Sequence, residues 1–187
     1  NSGHPKLQDT DLRANLCTKP APLITLDGSW NGFSPDPDNA RFQEKPGFRL
    51  EDIPRLKPKW TMAYPGGVAG GPPSVVAGRV FVGTAAGSVM ALDVETGCTY
   101  WATNPGERVK TPVSVAIWPP NELDKGSQAR AVAYFADRKA VVHAINAETG
   151  EKIWTTKVDD DMFATISGGL AIYKDRVYVP VTSGEGA

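Results

Sequence analysis

The chain predicts an all-β fold, a partial β-propeller of four-stranded antiparallel blades, and three observations carry that prediction. Two eleven-residue stretches, Ala91 to Trp101 and Ala144 to Trp154, both read Ala-x-Asp/Asn-x-Glu-Thr-Gly-x-x-x-Trp. Each follows a run of alternating apolar residues, Val80 to Met90 and Val132 to Val142, the period-two signature of a half-buried strand. Val76-Ala-Gly-Arg-Val-Phe-Val82 also matches Tyr173-Lys-Asp-Arg-Val-Tyr-Val179. In each copy a two-residue turn, Ala77-Gly78 or Lys174-Asp175, leads into an alternating strand and reads as a hairpin. Repetition at this period means one supersecondary unit used again and again.

The elements follow in order. Residues 1–28 are expected to be irregular, because Pro5, Pro20, Pro22 and the surrounding polar residues leave no alternating pattern. Residues 29–61 read as a lead-in segment anchored by Trp30 and Phe42, with one short helical turn near Leu50 to Leu56 limited by Pro54. Lys59-Trp60-Thr61 resembles the end of an earlier, less regular blade, 41 residues before Trp101. Residues 62–187 then hold about two and a half blades. Trp101 and Trp154 are 53 residues apart, longer than a blade of about 40–45 residues. The excess sits in the Pro- and Gly-rich loop Trp118 to Gln128. Within the repeated motif, Gly97 and Gly150 supply the positive φ of a turn, and Asp93 or Asn146 can accept bonds from its backbone N–H groups. Trp101 and Trp154 are expected to be wedged between blades. These residues are architecture and carry no chemistry.

Blades close into rings of typically about 4–8, so an incomplete domain is expected, the product of natural processing or a partial sequence. The remaining blades would come from the same or another chain.

A net charge of −1 with mixed signs argues against nucleic acid as a partner. No apolar run approaches the ~20 residues of a membrane span. The chain begins at Asn1 without a signal sequence, as a mature periplasmic or secreted protein would, and equally as a trimmed piece. Cys17 and Cys98 are either a disulfide, which an oxidising compartment permits, or two thiols. There is no Cys-x-x-Cys-His haem attachment motif, and two Cys with two His show no zinc-ligand spacing. His143 alternates within a strand and reads as a packed blade residue. Asp159-Asp-Asp161 reads as a solvated loop, because consecutive residues in an extended segment alternate faces.

Residues 29–60 contain Trp30-Asn-Gly-Phe33, Asn39-Ala-Arg41-Phe42-Gln43 and Leu56-Lys-x-Lys-Trp60. With the repeated Trp motif, they resemble the start of the pyrroloquinoline quinone (PQQ) dehydrogenases, and of their polyvinyl-alcohol dehydrogenase branch in particular. The branch is indicated by Thr96-Gly-Cys98, Ala133-Tyr-Phe-Ala-Asp137 and Tyr178-Val-Pro-Val181. The resemblance implies a propeller of about eight blades, PQQ with Ca²⁺ as cofactors, and oxidation of an alcohol, polymeric or secondary alcohols among the candidates. It also implies an electron acceptor such as a cytochrome. Carried over position by position, Ser167 and Thr182 would bond the quinone, Glu185 would ligate Ca²⁺, and Lys110 would pair with a PQQ carboxylate. A hard carboxylate oxygen suits Ca²⁺. The sequence departs from those relatives at Ser167-Gly-Gly169 and Ser183-Gly184, and it has no adjacent Cys pair near Glu107-Arg108. The catalytic base of the relatives lies in a later blade, so no catalytic residue is assigned. The competing expectation is a non-catalytic propeller of the same kind, a periplasmic scaffold or a polymer-binding protein.

Overall fold

The computed structural model describes residues 15–19, 22–23, 29–35, 40–63, 69–118 and 130–183. Two four-stranded antiparallel sheets follow one another along the chain. Blade 1 comprises β1 (Ser74–Val76), β2 (Arg79–Gly83), β3 (Val89–Asp93) and β4 (Thr99–Thr103). Blade 2 comprises β5 (Ser114–Trp118), β6 (Arg130–Ala136), β7 (Val141–Asn146) and β8 (Lys152–Lys157). A third unit holds the pair β10 (Ala171–Tyr173) and β11 (Arg176–Tyr178), beside β9 (Ala164–Thr165) paired with β12 (Thr182–Ser183). The long loop 119–129 and the end of the chain from 184 lie outside the described residues. No helix among the described residues is long and apolar enough to cross a membrane.

Local sequence accounts for these strands. Ala77 (φ 51°) and Gly78 (φ 79°) both take positive φ, which closes the β1–β2 hairpin in the mirror-image turn that right-twisted strands prefer. Lys174 (φ 52°) opens the matching β10–β11 turn. At Asp93 one carboxylate oxygen accepts from the backbone N–H groups of Glu95 and Thr96 and from the Thr96 hydroxyl. In blade 2 the Asn146 amide oxygen does the same for Glu148 and Thr149. Burial alone would raise the Asp93 carboxyl, but bonds from the Thr96 and Tyr100 side chains and from backbone N–H groups outweigh it and hold it below its usual value. Stability tied to a depressed carboxyl is present above the unfolded pKa and lost as pH falls through the folded one. Asp93→Asn should therefore keep the turn, as Asn146 does, and flatten the acid limb of stability. Urea midpoints between about pH 2 and 5 check this; an unchanged acid limb would refute it.

The core lies between blades. Phe81, Val89, Val109, Val113, Ala133 and Phe135 form one buried cluster spanning blades 1 and 2. Val132, Ala136, Ala140 and Val142 of blade 2 pack with Ala164, Ile166 and Leu170 of the third unit. Trp101 is 6% exposed; its Nε1 donates to Ala147 O at 3.0 Å, and its ring lies where a Cβ on Gly150 would come within 2.7 Å. Trp60 repeats this one blade earlier, donating to Val94 O at 3.0 Å and lying over Gly97. Trp154, expected to be wedged as well, is 38% exposed. Its ring meets Tyr134 of the same blade at 5.9 Å between centroids, and among the described residues no glycine turn packs on it as Gly150 does on Trp101. Arg79 adds a second tie: its guanidinium lies 4.1 Å from the Tyr100 ring centroid and donates to the carbonyls of Ala147 and Glu148 in blade 2.

Of residues 1–28 only 15–19 and 22–23 are described, and they form no regular strand or helix. Asn15 to Cys17 lie parallel to the outer edge of β4, with Cys17 N donating to Thr99 O and Thr99 N to Asn15 O. Cys17 and Cys98 are joined in a disulfide, which settles the alternative left open by the sequence. Trp30 exchanges both backbone bonds with Val75 on the free edge of β1. Phe42, expected as an anchor, is 67% exposed. Leu50–Arg55 form a 3-10 helix that contains Pro54 and buries no residue.

Candidate functional site

Each blade begins with a short approach segment that runs into its first strand and pairs, past an irregularity, with the end of its second. These pairings are Ala69 with Thr84, Val109 with Asp137, and Thr165 with Thr182. Counted from the matched strand registers, Gly70, Lys110 and Ser167 occupy one equivalent position, and Ala85, Arg138 and Thr182 another. Lys110 and Ser167 therefore lie at the same end of neighbouring blades. Thr182 stands across the strand pair from Thr165, donating its hydroxyl to Thr165 O at 3.1 Å. Ser167 is two residues further along and shares that face, since cross-strand and i, i+2 positions face the same way. Lys110, Ser167 and Thr182 are all solvent-exposed. Glu185, the expected metal ligand, lies outside the described residues. Among the described residues no group of three or more His, Cys, Asp or Glu side chains could hold a metal ion. Asp159 and Asp161 instead accept backbone N–H bonds within their own loop.

A cavity of about 590 Å³ opens between β5 and β10 under the lead-in segment. Asn31, Phe33, Ser34, Ser114, Ala116 and Ile172 are among its lining residues, whereas Lys110, Ser167 and Thr182 are not. Its walls are held by tight polar contacts. The Asn31 side chain accepts from Val115 N and donates to Val115 O, both at 2.8 Å. Gly32 N donates to Ser74 Oγ, and Ser114 Oγ donates to Leu170 O. The Phe33 ring lies 2.8 Å from where a Gly169 Cβ would stand, so glycine is needed for the approach. Among the described residues no ionisable side chain lines this space.

Sequence reasoning also missed a buried pair in blade 2. His143 is packed as expected, 7% exposed, with Phe135 stacked on its ring at 4.9 Å. Its Nε2 lies 2.9 Å from Asp137 Oδ2, while Asp137 Oδ1 accepts from the backbone of Lys139 and Val141. Asp137 sits at the position that Thr84 fills in blade 1, where Thr84 Oγ1 likewise accepts from Ser88 N. The blade register was the signal that could have located it.

A family model described as outer membrane protein assembly factor BamB matches residues 56–187. A polyvinylalcohol dehydrogenase from Sphingopyxis sp. (strain 113P3) is 35% identical over 180 residues, covering 95% of this chain and 27% of that protein. A second, from Pseudomonas sp., is 36% identical over 168 residues, covering 90% of this chain and 25% of its own length. This chain thus spans about a quarter of these relatives. Among solved structures, a europium-containing methanol dehydrogenase superposes with a TM-score of 0.65 at 22% identity, over 87% of this chain and 29% of that one. At that identity the likeness establishes the propeller fold alone.

Proposed function

The chain belongs to this PQQ-type propeller family, and on that premise we propose that it is the first part of a quinoprotein dehydrogenase that oxidises an alcohol with PQQ and Ca²⁺. The two polyvinylalcohol dehydrogenase relatives favour the enzyme over a scaffold of the BamB kind. The observation that carries the reading is the pairing of Thr182 with Thr165, which brings Thr182 and Ser167 to one face at the end of adjoining strands. Two hydroxyls there, with Lys110 at the equivalent place of the preceding blade, are a donor set suited to carboxylate and carbonyl oxygens. Ser167 and Thr182 would bond the quinone's oxygens, Lys110 would act as a point charge on a carboxylate, and Glu185 would give the cation its carboxylate. When bound, PQQ supplies the two-electron acceptor and Ca²⁺ the Lewis acid. The catalytic base would lie in a later blade. The Cys17–Cys98 bridge supports a periplasmic or secreted location, since disulfides persist in oxidising compartments. The substrate would be an alcohol, polymeric or secondary alcohols being the first to try, and the electron acceptor a protein such as a cytochrome.

The test is reconstitution of the full protein with PQQ and Ca²⁺, followed by dye-linked alcohol oxidation. Thr182→Val and Ser167→Ala should each weaken PQQ binding by roughly tenfold, the loss of one hydrogen bond or slightly more. Glu185→Gln should weaken Ca²⁺ binding and leave the thermal midpoint of the apoprotein unchanged. Full PQQ affinity in both hydroxyl variants, or no alcohol oxidation by the reconstituted protein, would sink this reading.

A further inference from the structure

We propose that Arg108 and Arg138 form a binding site for a carboxylate- or phosphate-sized oxyanion at the approach end of blade 2. Arg138 N donates to Arg108 O at 3.0 Å, and the neighbouring bridge joins Val109 to Asp137 in antiparallel register. The two arginines therefore stand directly across from one another. Like charges placed so are destabilising. Both side chains are exposed, and neither has a carboxylate partner among the described residues. The acids adjacent in sequence are committed elsewhere: Glu107 pairs with Lys139, and Asp137 is buried against His143.

Strand geometry decides where these charges point. Val109, between Arg108 and Lys110, is fully buried in the cluster between blades 1 and 2. Alternation then sets Arg108, Lys110 and Arg138 together on the opposite face. Three cations on one face repel one another, an anion bridging them would relieve that repulsion, and the planar fork of each guanidinium suits a bidentate oxyanion. The corresponding pair in the next blade is Thr165 with Thr182, uncharged, while Ala85 takes the place of Arg138 in blade 1. Among the described residues the charge is confined to blade 2 and does not follow from the repeat.

The inference rests on Arg108 and Arg138 and shares only Lys110 with the proposed cofactor site, and one set of melts separates the two. Thermal midpoints of the full protein are measured at low ionic strength with and without inorganic phosphate, and separately with PQQ, for wild type, Arg108→Gln, Arg138→Gln and Arg138→Lys. Phosphate in hundredfold excess over its Kd should raise the wild-type midpoint by about 2 °C. Either Gln variant should lose that shift, and Arg138→Lys should keep part of it. Without anion, Arg138→Gln should melt no lower than wild type, because a repulsion has been removed. If PQQ produces the same Arg138-dependent shift at a tenfold lower concentration, the bound group is a cofactor carboxylate. If only phosphate does so, the site takes a free oxyanion and the cofactor assignment is weakened. A phosphate shift that survives in both Gln variants, or an anion-free Arg138→Gln protein that melts well below wild type, would overturn the proposal whatever PQQ does.

Discussion

Replacing Trp101 with alanine is expected to destabilise the protein by about 3–5 kcal/mol, the range for emptying a large aromatic site in a packed core. The ring is 6% exposed. It meets Phe81 at 6.1 Å between centroids, lies over Gly150, and donates to Ala147 O. That carbonyl keeps a second donor in Arg79, so the loss comes mainly from the cavity and less from an orphaned acceptor. Trp101→Phe should cost only about 1–2 kcal/mol, retaining most of the ring and losing the indole bond. From the other side of the contact, Gly150→Ala should cost about 2–4 kcal/mol. It places a Cβ at 2.7 Å from Trp101 Cδ2 in a residue with φ 76°, combining a steric overlap with a left-handed penalty of roughly 1–2 kcal/mol. The double variant Trp101→Ala/Gly150→Ala should be less destabilised than the sum, because removing the ring removes the overlap. Urea denaturation of the four proteins measures the coupling; additivity within about 0.5 kcal/mol would mean that the contact is not as described.

Removing the Cys17–Cys98 bridge should have an effect of similar size, about 4.5 kcal/mol if it acts chiefly on the unfolded chain. The bridge spans 81 residues, and the entropy of closing so long a loop sets that figure. Its folded-state role is local. It holds Asn15 to Cys17 against β4, an outer edge that would otherwise offer open backbone groups. From there the chain reaches blade 2, where Leu23 N donates to the Glu148 carboxylate, and then the free edge of β1 at Trp30. Dithiothreitol on the wild type and the Cys17→Ser/Cys98→Ser pair should give the same lowered urea midpoint. Limited proteolysis of either should cut first near residues 15–23, leaving the blades intact. A shift under about 1 kcal/mol would show that the segment is held without the bridge.

The blades are legible in the amino-acid sequence, because what makes them is local. Alternation over five to seven residues places β2, β3, β6 and β7, and the Asp93 and Asn146 turns close on partners two or three positions away. Ala77 with Gly78 and Lys174 with Asp175 were readable as turns for the same reason. How the non-repeating parts are used depends on the folded arrangement. Cys17 meets Cys98, Asn31 clamps Val115, and Arg79 crosses to Ala147 and Glu148 over separations of 68 to 84 residues. No short-range pattern encodes such partners, since each depends on where the blades bring distant backbone. That is also why Phe42 lies exposed although its neighbourhood resembled an anchor, and why Trp154, identical in motif to Trp101, is only half covered: a motif specifies a ring's direction, and the surface it meets belongs to another part of the fold. The site divides in the same way. Hydroxyl and cation types at Ser167, Thr182 and Lys110 were legible as residues, but their equivalence around the propeller, and the opposition of Arg108 and Arg138, follow only from the pairing of approach segments with second strands, which is a property of register in three dimensions.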